Sequence, residues 1–303
     1  MNQAYIPAFT LVPEKRTPQK NLPPAVTTPR FIDDVAAGRV ELPTIPRVVQ
    51  RVIAALRDPN VDARKIGDTL SQDPVLSAKV LRVANSSFFG GERSMASIDA
   101  AVGLIGTAAL NKLIVACGVS SSFKAVPGID LRVFWRDALV AATAANKLAP
   151  MLGADADEAY VCGLLHASGH LILCQSYPDI AEAMFAGFEV VRGAELAAIE
   201  AQAFGIDHPE VGQLWVRTLG FPLGVADTIG KSALPPTDLD GPLTLTLRSA
   251  CLLAAAIAQQ AAPEAALASL PPSVGKRFTA ASGKPDPAFT SLYETLKKTE
   301  PAL

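Results

Sequence analysis

Histidine and cysteine are scarce in this chain, three and four residues respectively among 303. Cys117, Cys162, Cys174 and Cys251 lie far apart with no C-x-x-C pair, which argues against a zinc ribbon or a dithiol redox centre; buried free thiols in a reducing compartment are expected instead. Three imidazoles cannot build a dense metal cluster alone, so carboxylates would have to complete one. Charge is also sparse: 18% of residues are charged and the formal net charge is -2, so no global attraction to nucleic acid or anionic lipid is expected. There is no G-x-x-x-x-G-K-[ST] loop, no strand-borne G-x-G-x-x-G and no G-x-S-x-G elbow, which removes the usual footholds for nucleotide and acyl chemistry. Long apolar runs are missing too. Leu243 to Ala262 comes nearest, but Arg248, Gln259 and Gln260 interrupt it and leave about a dozen uncharged apolar residues where a spanning helix needs about 20. A buried core helix and no membrane insertion are expected there. Met1 to Leu11 lacks a basic n-region and an apolar h-region, so it does not read as a secretory signal, and a cytoplasmic location is expected.

Hydrophobic residues make up 50% of the chain, ample for a core. Residues 1–29 hold Pro7, Pro13, Pro18, Pro23, Pro24 and Pro29 among polar residues and read as a flexible tail. From Phe31 onward the pattern is helical. Ile45, Val48, Val49, Val52, Ile53 and Leu56 share one helical face, and Asp58-Pro59 stops that element. Asp73-Pro74 pairs an N-cap with a first-turn proline before Val75 to Asn85. Val161, Leu164, Leu165 and Ile172 form another stripe, and Leu196, Ile199 and Ala203 a shorter one. No period-two alternation is long enough to demand a sheet, so the expected fold is all-α, a multi-helix bundle.

Three segments offer chemistry. His166 and His170 stand one helical turn apart, a spacing that can chelate a metal, but Ala167 supplies no carboxylate beside them and Gly169 weakens a helix between them. A structural histidine pair is the simpler reading. His208 sits at an apparent helix start, between Asp207 at the cap and Pro209 in the first turn. Ile66 to Asn85 mimics a helix-turn-helix, yet between Asp62 and Arg93 five basic residues face four acidic ones, a weak footing for phosphate contacts.

Several segments together resemble the HDOD family. They are Leu42-Pro43-Thr44-Ile45-Pro46, Ser71-Gln72-Asp73-Pro74-Val75-Leu76, Leu81-Arg82-Val83-Ala84-Asn85-Ser86-Ser87-Phe88-Phe89-Gly90, and Ser97 to Val102 followed by Leu104-Ile105-Gly106. Phe134-Trp135, Gly163-Leu164-Leu165-His166 and Asp207-His208 continue the family order, so the resemblance covers about residues 36 to 235. It implies an N-terminal helical lobe over about 30–125, packed on an HD-like core from about 130. Residues 30–235 would form the HDOD domain, and 236–303 a C-terminal helical extension continuing that core. Catalytic HD relatives hold metal through His and Asp ligands. Carried over, those positions fall at Asp137, His166, Ala167, near Gly230-Lys231, and at Cys251, with His208 also at a ligand position. A hard divalent cation requires anionic oxygen, which Ala167 cannot supply.

The resemblance therefore implies a non-catalytic bacterial output or adaptor module that works by binding, with no cofactor and no metal expected. Its partners would be signalling proteins such as a kinase, a cyclic-dinucleotide enzyme or a regulator. No receiver, kinase, cyclase or phosphodiesterase segment is read beside it, so the signal is expected through a separate molecule or a bound ligand. His166, His208 and Lys231 are the candidates for a small-ligand pocket, and Asn85, Phe88 and Phe89 for a partner surface. Two alternatives stand beside this reading: a metal-dependent phosphohydrolase with an altered ligand set, and a nucleic-acid-binding regulator acting through residues 62–93.

Overall fold

The computed structural model describes residues 30–57, 70–85, 95–187 and 193–299. The proline-rich tail, Phe88, Phe89 and much of the 62–93 helical pair lie outside the described residues. The fold is all-α; among the described residues no strand forms, only two isolated bridges.

Four helices open the described chain: α1 (Phe31–Ala36), α2 (Arg47–Arg57), α3 (Pro74–Ala84) and α4 (Ile98–Ser120). In α2 the valines at 48, 49 and 52 and Ile53 are buried on one face, as their spacing requires. The Asp73 carboxylate accepts from the Leu76 backbone N–H at 3.0 Å, so the cap expected from Asp73-Pro74 forms. Leu76, Val80, Val83 and Ala84 are the buried residues of α3, which packs on α4. Gly106, at φ 78°, kinks α4 in a conformation that side chains with a Cβ avoid. By length and composition alone α4 is apolar enough to cross a membrane, but Leu110 and Leu113 to Ser120 are buried inside the protein.

Next come α5 (Leu131–Leu152), α6 (Ala156–Leu165), α7 (Ser168–Ser176), α8 (Pro178–Gly187), α9 (Gly193–Phe204), α10 (His208–Thr218) and α11 (Leu223–Ile229). α12 (Pro242–Ala258), α13 (Pro263–Ala268), α14 (Pro272–Gly275), a single 3-10 turn and α15 (Pro287–Lys297) follow. α5 is the central strut, with α6 and α12 packed along it. Its alanines let the backbones close in: a Cβ on Gly163 would lie 2.5 Å from the Ala142 Cα. The apolar run at 243–262 is the core helix α12.

One hydrophobic core runs from Phe31 to Leu247 and joins the N-terminal helices to α5–α11. A second core gathers Val140, Ala144 and Leu148 of α5 with Leu253, Phe278, Phe289 and Tyr293, so the C-terminal helices close over α5 and α12. Polar ties reinforce the first. Trp215 Nε1 donates to the Pro43 carbonyl at 2.7 Å, Ser122 Oγ to the Thr44 carbonyl at 2.6 Å, and Tyr177 to the Asp34 carboxylate at 2.6 Å. Phe123 sits between Trp135 and Trp215, with ring centroids 6.0 and 5.7 Å away. The Leu42–Pro46 segment is therefore a docking strap onto α10 and the end of α4, with two of its carbonyls satisfied by side chains of the core.

Candidate functional site

The continuous helical face expected through His166 and His170 does not form. α6 ends at Leu165 and α7 begins at Ser168, with Ala167 at φ -111°, ψ 5° between them. Ser168 Oγ donates to the Leu165 carbonyl at 2.7 Å and satisfies a group that the break frees. The two imidazoles consequently go to different places. His166 lines a cavity of about 460 Å³, whereas His170 is buried away from it.

Gly169 explains the local geometry. A Cβ there would collide with the His208 carbonyl oxygen and lie 2.7 Å from the Gly212 nitrogen, so only glycine lets α7 and α10 meet backbone to backbone. That contact, with α9 alongside, assembles a buried triad. The Glu200 carboxylate accepts from Nδ1 of His170 and from Nδ1 of His208, each at 2.5 Å, and from the His208 backbone N–H at 2.9 Å. Burial alone would raise the Glu200 carboxyl, but the imidazoles outweigh it and hold the group at about 2. Burial disfavours the charged His170 ring, yet Cys174 and Glu200 overcome this and raise it to about 10. Asp207 caps α10 at the Glu210 N–H, 3.0 Å away, as its sequence suggested.

The cavity brings together five of the six positions carried over from the HD pocket: Asp137, His166, Ala167, His208 and Cys251. His166 Nδ1 lies 2.8 Å from the Gly163 carbonyl; because a carbonyl only accepts, that nitrogen carries the hydrogen. Asp137 Oδ1 receives Nε and Nη2 of Arg136 at 3.0 and 2.6 Å. Burial pushes the Cys251 thiol up to about 12, with Arg248 acting against it. Lys231 is the exception and corrects the sequence reading: its side chain is exposed, and only its carbonyl turns inward, to accept from Arg248 Nε at 2.8 Å. The cation in the wall is Arg248 of α12, 5% exposed, whose Nη1 also meets the Asp240 carboxylate at 2.7 Å.

These donors do not fit a hard divalent cation. The one carboxylate in the cavity wall already answers Arg136, a methyl stands at Ala167, Cys251 is held as a thiol, and a guanidinium adds positive charge. Among the described residues no group of three or more His, Cys, Asp or Glu side chains is arranged to hold a metal ion.

The proposed partner surface is partly visible. Asn85 Nδ2 donates to the Met95 carbonyl at 2.9 Å and Asn85 Oδ1 accepts from the Met95 N–H at 2.6 Å, so this side chain ties the end of α3 to Met95. Sequence reasoning missed two residues of the site. Glu200 was not singled out, although Leu196, Ala197, Ala203 and Phe204 place it on the apolar face. Arg248 was read only as an interruption of an apolar run.

Solved structures share this fold over most of the chain. A protein from Shewanella amazonensis SB2B, provisionally named a phosphohydrolase, superposes with a TM-score of 0.68 at 26% identity, covering 90% of this chain and 94% of that one. An HDOD domain protein of unknown function from Geobacter sulfurreducens gives 0.65 at 22% identity, covering 88% and 96%. A Marinobacter aquaeolei VT8 protein, provisionally named for signal transduction, gives 0.64 at 24%, covering 86% and 59%. In sequence, an uncharacterized protein of Treponema pallidum is 23% identical over 212 residues, 69% of this chain; the match spans 41% of that relative's length. The HDOD domain family model matches residues 42–234, and the chain belongs to that family.

Proposed function

We propose that this chain is a non-catalytic signalling module that acts by binding, and that the pocket retained from the HD fold is a recognition site. The observation that carries this reading is the wall of the cavity: Asp137 is paired with Arg136, Ala167 and Cys251 replace acidic positions, and Arg248 puts a buried cation where a metal-binding site needs anions. Its partners are signalling proteins, a kinase, a cyclic-dinucleotide enzyme or a regulator. The signal-transduction name carried by the Marinobacter structure agrees with that class. Nucleic acid is not favoured as a partner, because Lys79, one of the basic residues of the 62–93 region, turns inward to donate to Ser120 Oγ at 2.8 Å. Four free thiols, three of them buried, suit the reducing cytoplasm.

A hydrolase reading has one observation in its favour: His166, His208 and Asp137 still converge on one cavity, in a fold shared with a Shewanella protein that carries a provisional phosphohydrolase name. Turnover of bis(p-nitrophenyl) phosphate by the full chain with added manganese, nickel or iron separates the two. The binding reading predicts turnover equal to a protein-free control. Metal-dependent turnover that His166→Ala abolishes would establish the hydrolase.

A further inference from the structure

The cavity has a character of its own beyond the loss of metal ligands. Apolar side chains such as Leu196, Leu252, Ala255 and Leu270 make most of its wall, and about 460 Å³ is room for a small organic molecule; ligand pockets usually span about 300–1,000 Å³. The Arg248 guanidinium in that wall has bonding capacity left. Arg248 is 5% exposed, its Nε is taken by the Lys231 carbonyl, and its Nη1 by the Pro235 carbonyl and the Asp240 carboxylate. Nη2 has no protein acceptor among the described residues. Its hydrogens are therefore available to an acceptor on a bound molecule.

We propose that this cavity binds an organic monocarboxylate, its oxyanion on Arg248 Nη2 and its apolar body against the α12 wall. The charge balance selects this class. Asp240 already offsets much of the Arg248 charge, so a phosphate dianion would meet too little positive charge, whereas a single carboxylate needs only the donors left on Nη2. An apolar tail would gain about 25 cal/mol per Å² buried. Such a ligand would bridge α12 and the 231–240 segment that Arg248 holds, which makes it a natural input for a module that acts through its shape.

This inference rests on the binding reading only in needing the cavity free of a metal centre. The test is calorimetric titration of the full chain, stripped with a chelator, with octanoate, 1-octanol and inorganic phosphate in turn. Saturable, stoichiometric octanoate binding is expected, with 1-octanol weaker by about tenfold or more and phosphate silent. Ala255→Phe, which fills the wall about two helical turns along α12 from Arg248, should weaken octanoate by about tenfold or more while its unfolding stays cooperative. Arg248→Gln should bring octanoate down to the octanol level. No saturable octanoate binding, octanol binding as tight as octanoate, or an unchanged affinity in a folded Ala255→Phe overturns the proposal. None of these outcomes bears on phosphodiester turnover, so the two readings fail separately.

Discussion

Gly169 and His208 meet with no room for a side chain between them: a Cβ on Gly169 would overlap the His208 carbonyl oxygen, which fixes how closely α7 and α10 pack. The histidine that lines the cavity and the carboxylate behind it are positioned by this contact. Gly169→Ala must push two backbones apart, and overpacking of that kind costs about 3 kcal/mol. Urea denaturation at neutral pH should show that loss, with the thermal midpoint reduced in step.

Glu200 links His170 and His208 in the buried interior, and removing one member of such a group leaves charge or donors stranded. Glu200→Gln should destabilise the protein by about 3–5 kcal/mol. The loss depends on pH in a defined way. Glu200 is held at about 2 against an ordinary 4.5, so its contribution is present above 4.5 and disappears as pH falls toward 2. His170 is raised from 6.5 to about 10, so its contribution is complete below 6.5 and is lost as pH rises through 10. The stability gap between wild type and Glu200→Gln should therefore be widest between pH 4.5 and 6.5 and narrow on both sides. Denaturant midpoints measured across that range check it; a gap that widens steadily into acid would contradict it.

Trp215 anchors the Leu42–Pro46 strap through its indole N–H. Trp215→Phe keeps most of the buried surface but leaves the Pro43 carbonyl without that donor, at a cost of about 1–2 kcal/mol. Amide hydrogen exchange should rise first in the strap and around Ser122, whose hydroxyl holds the neighbouring Thr44 carbonyl. Uniform acceleration across α5 and α12 would mean that the strap does not open as a local unit.

Much of this architecture was legible in the chain because its signals are local. Asp73-Pro74 and Asp207 before Pro209 both cap helices as their residue types dictate, and the buried valines of α2 follow their spacing. The positions carried over from the HD pocket do converge, with Lys231 the exception. What the sequence hid depends on partners far away in the chain. Helical periodicity carried straight through 161–172, whereas the break at Ala167 depends on the close approach of α10 to Gly169. Glu200 becomes a buried acceptor only because two histidines on other helices reach it. Arg248 becomes a cavity wall only because the carbonyls of Lys231 and Pro235 and the Asp240 carboxylate fold back to receive it.

The central claim is that this HD-derived pocket recognises rather than hydrolyses, and its most direct test is the metal content of the full-length protein. The chain is equilibrated with manganese or iron, freed of unbound ions by gel filtration and assayed by plasma mass spectrometry. The account predicts far less than one ion per chain, unchanged in His166→Ala. One or two ions retained per chain, and lost in His166→Ala or Asp137→Asn, would contradict it and restore a metal centre to the cavity.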